Sequence, residues 1–126
     1  MVDALVDSSI IIDLLRGYPA ARLWAEEGYI AAISRATWFE LIEGARNLQG
    51  QRAALAVIQR FVLIELSQEI IERSAELMLK WRLSHNIDAF DCLIAATAET
   101  QKLPLLTRNL KHFRPLIGNL ARSPYA

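Results

Sequence analysis

The sequence has little cysteine, no excess charge of either sign and no long hydrophobic run. Cys92 is the only cysteine among 126 residues, which excludes a disulfide within the chain and a cysteine-based zinc site. No apolar run approaches the roughly 18 residues that a membrane span needs, and no basic segment precedes an apolar stretch as it does in a signal peptide. From these absences we expect a cytoplasmic chain that does not contact a membrane.

Charge balance and composition also narrow the functional classes. The 14 Lys and Arg residues balance the 14 Asp and Glu residues, so the formal net charge is zero. A protein that binds nucleic acid through bulk charge is usually strongly basic, so contact with RNA or DNA would have to use local patches or bound cations. A hydrophobic content of 53% excludes a disordered chain, and the length predicts one domain spanning residues 1–126.

Short apolar segments alternate with helical patterns along the chain. The apolar segments predict strands at residues 2–6, 29–33, 61–66, 104–107 and 119–122. Helical spacing and capping residues predict helices at residues 10–15, 20–27, 35–47, 51–60, from 67 onwards, and 88–102. The last helix is apolar on nearly every side, which is typical of a helix between two layers. The alternation predicts an α/β sandwich, with helices flanking a central, mostly parallel sheet of four to five strands.

Acidic and polar side chains follow several of the predicted strands. Asp7 comes directly after the first strand, Glu40 lies on the helix after the second, and Asp91 lies in the first turn of the apolar helix. Thr107 ends the fourth strand and Asn109 follows it. Ligands of parallel α/β sheets bind beyond the carboxyl ends of the strands, so we expect these residues to converge at one edge of the sheet.

Three carboxylates in one pocket repel each other unless protons or a cation neutralise them. At a separation of about 4 Å, each pair costs several kcal/mol at an effective dielectric constant of about 20. Either the pKa values rise or a metal ion binds, and ligands that are all oxygen suit Mg²⁺ or Mn²⁺ better than zinc. Such an ion can meet a substrate phosphate and activate water, so Asp7, Glu40 and Asp91 predict phosphoryl-transfer chemistry.

Four stretches of the chain, in order and over nearly its whole length, resemble a known family. The first two are LVDSSIIIDLLRG and ISRATWFELIEGA; the other two are continuous in DAFDCLIAATAETQKLPLLTRNLKHF. They resemble PIN domains, and among these the toxin ribonucleases of VapBC toxin–antitoxin pairs. The resemblance implies a metal-dependent endoribonuclease that hydrolyses RNA phosphodiester bonds and leaves a 5′-phosphate. It also implies a homodimer and a cognate VapB-type antitoxin.

The resemblance assigns roles to individual residues. Asp7, Glu40 and Asp91 match the metal-binding acids of the family, and Thr107 resembles the hydroxyl residue that orients them. These matches imply a catalytic site that holds one Mg²⁺ or Mn²⁺ ion firmly. Whether a second ion binds stays open.

The fourth acidic position of the family has two candidates in this chain. Asn109 stands where relatives often have Asp or Asn, and His112 stands where many have an Asp before Phe. Asn109 is taken as the catalytic candidate. A neutral ligand there would lower the charge of the site and weaken the binding of a second ion.

Each acid also has a purely structural interpretation. Asp7 could cap the following helix, although the serines after it could do the same. Asp88 and Asp91 have the spacing of a reciprocal capping pair, and we expect Asp88 as the cap and Asp91 as the ligand. Asp88 could also contact the metal or its waters. Glu43 shares a helix face with Glu40 and is its alternative.

Basic residues near the predicted strand ends are candidate substrate contacts. Each could bind a phosphate or could be an ordinary surface charge; they are Arg16, Arg46, Arg108 and Lys111. The alternative function is a catalytically weak or inactive PIN-like module that binds RNA or a partner, since the fourth position is not acidic. A phospho-acceptor receiver domain would need an Asp after the third strand, where Ser67 stands.

Overall fold

The computed structural model describes residues 1–126 and contains one sheet of five parallel strands. The strands are β1 (Ala4–Val6), β2 (Ala31–Ser34), β3 (Val62–Ile64), β4 (Leu105–Leu106) and β5 (Ala121–Arg122). Their spatial order is β3-β2-β1-β4-β5, so β1 is central and the order of the strands reverses beside it. The ligand site of such a sheet lies at this reversal, beyond the carboxyl ends of the strands.

Seven α-helices connect and cover the strands. They are α1 (Ser8–Leu15), α2 (Pro19–Ala25), α3 (Arg35–Glu43), α4 (Leu48–Ile58), α5 (Gln68–His85), α6 (Ala89–Gln101) and α7 (Leu110–Ile117). A short 3₁₀ helix, Gly118–Leu120, leads into β5. The predicted α/β sandwich with a central parallel sheet is therefore confirmed. None of the helices combines the length and the hydrophobicity required to cross a bilayer.

The strands divide the hydrophobic core into two clusters. Val6 and Ile33 pack in one cluster with side chains of α1, α3 and α4, whereas Leu5 and Ala32 pack in the other with side chains of α5, α6 and α7. Successive strand residues face opposite sides of a sheet, so each cluster fills the space between one face and its helices. Helix α6 is buried along most of its length, as its apolar sequence predicted.

The largest differences from the predicted helix boundaries lie between α3 and α4 and result from local capping. The helix predicted over residues 35–47 ends at Glu43, where Gly44 is the C-cap residue. Asn47 then accepts a hydrogen bond from the backbone N–H of Gly50, at 2.8 Å, and starts α4 earlier than predicted. An Asn side chain that caps a helix satisfies a backbone donor that the helix itself leaves free.

Helix α7 was not predicted at all. Pro115 lies inside it, and proline normally interrupts a helix because it lacks the backbone N–H and clashes with the preceding turn. The helix is short, and Phe113 and Leu116 are buried on its inner face. Tertiary packing of this face therefore outweighs the local penalty of the proline.

Candidate active site

Asp7 follows β1 at the centre of the sheet and is 3% exposed. Its Oδ1 accepts hydrogen bonds from the hydroxyl and, at 3.1 Å, from the backbone N–H of Ser9, which makes Asp7 the N-cap of α1. Its Oδ2 accepts the Thr107 hydroxyl at 2.7 Å. Burial raises the pKa of Asp7, while these hydrogen bonds oppose the rise. Oδ2 accepts only the one hydrogen bond from Thr107 and has a lone pair left for a further ligand, so the capping role leaves a metal role open.

Glu40 lies on α3 with its Oε1 buried and without a hydrogen-bond partner. Burial is the largest cause that raises its pKa, to about 7, and the charges of Asp88, Asp91 and Asp7 raise it further. A buried carboxylate oxygen without a partner is costly, because it has lost water and gained nothing in exchange. Either a proton or a cation would relieve this cost at neutral pH.

Asp88 and Asp91 form the reciprocal capping pair that the sequence predicted at the start of α6. Asp88 Oδ1 accepts the backbone N–H of Asp91 at 2.8 Å, and Asp91 Oδ2 faces the backbone N–H of Asp88 at 3.4 Å. Asp91 is 7% exposed, and burial followed by the charge of Asp88 raises its pKa. Its Oδ1 takes part in no hydrogen bond, so capping occupies only one of its two oxygens.

The residues after β4 connect the two sides of the site. Thr107 is fully buried, and its hydroxyl oxygen accepts the backbone N–H of Asn109 at 2.8 Å while donating to Asp7. The Asn109 side-chain nitrogen lies 2.9 Å from His112 Nδ1, which also lies 3.3 Å from Asp91 Oδ2. A neutral Nδ1 accepts from the amide of Asn109, whereas a protonated Nδ1 donates to the carboxylate of Asp91. His112 lies beside Asp91, and Asn109 is connected to the acids through Thr107 and His112, so the fourth position keeps two candidates.

The predicted acids lie near each other at the carboxyl edge of the sheet. The charges of Asp7, Asp88 and Asp91 all act on Glu40, and the charge of Asp7 also acts on Asp91. In the present arrangement, however, no three Asp, Glu, His or Cys side chains are grouped closely enough to hold a metal ion. Two features of the donor set suit a hard cation such as Mg²⁺ or Mn²⁺, namely oxygen-only ligands and the unpartnered Glu40 oxygen.

The predicted phosphate contacts have different surroundings. Arg16 and Arg46 line a groove of about 470 Å³ that adjoins Glu40 and lies between α1, α3 and α4. Neither of these two arginines forms an ion pair. Lys111 is exposed in the first turn of α7. Arg108 instead pairs with Asp13 at 3.0 Å, and that pairing occupies part of its guanidinium.

Sequence reasoning did not identify Ser9 and Arg108 as partners of one another. The backbone N–H of Arg108 donates to the Ser9 hydroxyl at 3.0 Å across a sequence separation of 99 residues. Only the parallel pairing of β1 with β4 brings these residues together. No pattern within either segment signals the contact.

The chain belongs to the PIN domain family, whose model matches residues 4–115. Among curated proteins it is similar to Ribonuclease VapC10 of Mycobacterium tuberculosis, with 39% identity over 97% of this chain and 92% of the relative. Ribonuclease VapC19 of the same species is 39% identical over 96% of this chain and 98% of the relative. The resemblance to VapC-type ribonucleases is thereby confirmed.

Solved structures agree with this assignment. One chain of a toxin–antitoxin complex from Klebsiella pneumoniae is 35% identical, with a TM-score of 0.78 and 98% of each chain covered. One chain of VapBC2 from Rickettsia felis, crystallised with a promoter DNA fragment, is 21% identical with a TM-score of 0.81 over 98% of both chains. The second likeness shows the shared fold.

Proposed function

We propose that the protein is the toxin of a toxin–antitoxin pair and an endoribonuclease that hydrolyses RNA phosphodiester bonds with Mg²⁺ or Mn²⁺. The observation that carries the proposal is the buried, unpartnered oxygen of Glu40, in the field of three further acids. A group of this kind is costly to keep unless it serves binding or chemistry. The relatives named ribonucleases support RNA as the substrate.

Asp7, Glu40 and Asp91 would hold the metal ion in this proposal. A bound Mg²⁺ or Mn²⁺ ion supplies charge for the phosphate and lowers the pKa of a coordinated water. Thr107 and Ser9 orient the Asp7 carboxylate by hydrogen bonds to both of its oxygens. Asp88 caps α6 and thereby fixes the position of Asp91.

The groove beside Glu40 is the proposed approach for the RNA strand. Arg16 and Arg46 supply cationic groups there that are not engaged with protein carboxylates, and phosphate is the natural partner of a free guanidinium. The net charge of the whole chain is zero, so such local cations would have to provide the attraction to RNA. Lys111 is a further candidate phosphate contact, and Asn109 the candidate for the fourth catalytic position.

The proposed partners are a VapB-type antitoxin and a second copy of this chain. The similar chain from Klebsiella pneumoniae comes from a toxin–antitoxin complex, which supports the antitoxin. Leu79 and Leu83 on α5 are 89% and 99% exposed, and large apolar side chains in water favour a surface that a protein partner covers.

The test is cleavage of a labelled RNA by the purified protein with Mg²⁺, with Mn²⁺ and with a chelator. We expect cleavage with either metal, none with the chelator, and a loss of at least about 100-fold in Asp7→Asn and Asp91→Asn. Glu27→Gln removes an exposed acid that has no partner and is the control, with unchanged activity expected. Cleavage that persists in chelator or in both Asn variants would overturn the metal-nuclease assignment.

A second candidate function is an RNA- or partner-binding module without catalysis. Asn109 favours it, because a neutral side chain stands at the fourth position and lowers the negative charge available for a metal. In the same experiment this candidate predicts RNA binding without cleavage in any metal.

A further inference from the structure

The segment after β5, residues 123–126, folds back towards α1. The Tyr125 hydroxyl donates to Asp13 Oδ2 at 2.8 Å, and Asp13 belongs to α1. Arg108 Nη1 donates to the same oxygen at 3.0 Å. A single carboxylate oxygen thus joins the C-terminal segment, helix α1 and the segment after β4.

The side chain of Arg108 is held on three sides. Its guanidinium carbon lies 5.0 Å from the ring centre of Tyr18 and 5.3 Å from that of Tyr125, and the two rings are 5.9 Å apart. Cation–π contacts on two rings and an ion pair with Asp13 leave the guanidinium little freedom to turn towards a substrate. Arg108 therefore has the surroundings of a structural residue rather than those of a phosphate ligand.

The main chain of Arg108 continues the network to Asp7. Its N–H donates to the Ser9 hydroxyl at 3.0 Å, and that hydroxyl donates to Asp7 Oδ1. A serine hydroxyl has a single proton and rotates freely unless its lone pairs are engaged. Because the Arg108 N–H engages the oxygen of Ser9, the hydroxyl proton is directed at Asp7, and the two hydrogen bonds reinforce each other.

We propose that Tyr125, Asp13 and Arg108 are positioning residues that fix the orientation of the Asp7 carboxylate through Ser9. The proposal rests on the endoribonuclease function proposed above, because it concerns the efficiency of that site. Loss of the Tyr125 hydroxyl removes one of the two donors that fix Asp13 Oδ2, and it releases the Tyr125 ring from Asp13. Two of the three groups that hold Arg108 are then less fixed, so the Arg108 N–H holds the Ser9 hydroxyl less firmly. The network does not touch the groove beside Glu40, so RNA affinity should not change.

The decisive variant is Tyr125→Phe, which removes the hydroxyl and keeps the ring beside Arg108. The matched control is Tyr29→Phe: Tyr29 is 53% exposed, its ring stacks on Trp24 at 6.1 Å, and its hydroxyl forms no hydrogen bond. In Tyr125→Phe we expect kcat for RNA cleavage to fall about three- to tenfold with KM within about twofold of wild type. The Mn²⁺ concentration for half-maximal activity should rise about two- to fivefold. The control should match wild type in all three values.

A readout without metal or RNA tests the coupling itself. Amide hydrogen exchange of Arg108, followed by NMR in the metal-free protein, should be about three- to tenfold faster in Tyr125→Phe than in wild type or the control. Asp13→Asn provides a second variant with the same expected directions, because it weakens the acceptor that both Tyr125 and Arg108 use. A role in stability alone would lower the melting temperature and leave kcat and the Mn²⁺ dependence unchanged.

The outcomes separate the two proposals. If the wild type cuts RNA and Tyr125→Phe has the same kcat and Mn²⁺ dependence, the positioning role is overturned and the proposed nuclease function stands. Wild-type protein that does not cut RNA overturns the proposed function. In that case, an unchanged rate of amide hydrogen exchange at Arg108 in Tyr125→Phe would also overturn the coupling between the Tyr125 hydroxyl and the Arg108 N–H. A faster rate would support that coupling.

Discussion

Two regions of the molecule are rich in acids, and their surroundings differ. On the outside of α5 and α6, a groove of about 360 Å³ contains the acids Glu69, Glu72, Glu76 and Glu99 and the cations Arg73 and Lys102. There Arg73 forms a short ion pair with Glu99 and a longer one with Glu76, at 3.8 Å. At the carboxyl edge of the sheet, Asp7 and Asp91 are buried, and no Lys or Arg pairs with them or with Glu40.

This difference shows that the number of acids in a region does not by itself identify a functional site. Exposed acids with an arginine among them are neutralised and solvated, so they cost the fold little. Buried acids without a cation raise each other's pKa values and lower the stability of the fold. Such acids are therefore expected where the function requires them. Loss of one acid from the outer groove should therefore leave RNA cleavage unchanged, whereas loss of one acid from the sheet edge should impair it.

The largest expected effect is on RNA cleavage by Glu40→Gln. The amide keeps the shape of the side chain and removes the charge that a metal ion needs, so we expect kcat/KM to fall at least about 100-fold. Glu99→Gln, in the outer groove, should cleave at the wild-type rate. If Glu40→Gln and Glu99→Gln cleaved RNA equally well, the burial of acids without a neighbouring cation would not distinguish the sheet edge from the outer groove.

Much of the sheet edge could be predicted from the sequence because each acid directly follows a strand, lies on the helix after a strand, or starts a helix. Asp7, Glu40 and Asp91 lie at such positions, and the parallel sheet brings those positions together. The capping pair of Asp88 with Asp91 was also predictable, since its spacing is local. Local geometry and strand order were therefore enough to place the acids at one edge.

Other features were beyond prediction because they depend on tertiary contacts. The bond between Arg108 and Ser9 needs the register of β1 against β4, which neither segment encodes alone. Helix α7 forms despite Pro115 because Phe113 is buried beneath it. The single unpartnered oxygen of Glu40 likewise depends on the packing around α3, and the sequence shows only that an acid is present.

The second effect is on the pH dependence of stability without metal. The folded-state pKa of Glu40 is raised to about 7 from 4.5, so the folded protein binds this proton more tightly than the unfolded chain does. Its contribution to stability is therefore full at low pH and is lost as pH rises between about 4.5 and 7. Partial exposure to solvent reduces the effect, and we expect a loss of about 1–3 kcal/mol.

Urea unfolding of the metal-free protein at several pH values checks this prediction. Glu40→Gln cannot lose the proton, so at pH 8 it should be more stable than wild type by about the same 1–3 kcal/mol, and the two should converge near pH 5. The variant that loses cleavage would thus gain stability. A wild type that is the more stable of the two at pH 8 would contradict the unfavourable burial of this charge.

A third, smaller effect is stabilisation by the metal itself. A ligand that binds only the folded state, at ten times its dissociation constant, stabilises by about 1.4 kcal/mol. Mn²⁺ should therefore raise the melting temperature of the wild type by several degrees, and that of Glu99→Gln equally. The rise should be absent or much smaller in Glu40→Gln. An equal rise in both variants would place the metal away from the sheet edge.

The smallest effect is the loss of stability on breaking the outer ion pair. In Glu99→Gln the short contact with Arg73 loses its charge, but both side chains are more than a third exposed, at 38% and 39%. Solvent and salt screen such pairs, so we expect the free energy of unfolding to fall by less than about 1 kcal/mol. The loss should shrink further in about 1 M salt, where the screening length is about 3 Å. Urea unfolding at low and high salt measures this loss of stability. A loss that is as large as the stability gained in Glu40→Gln, and that salt does not reduce, would mean that the two acid-rich regions do not differ in the way proposed.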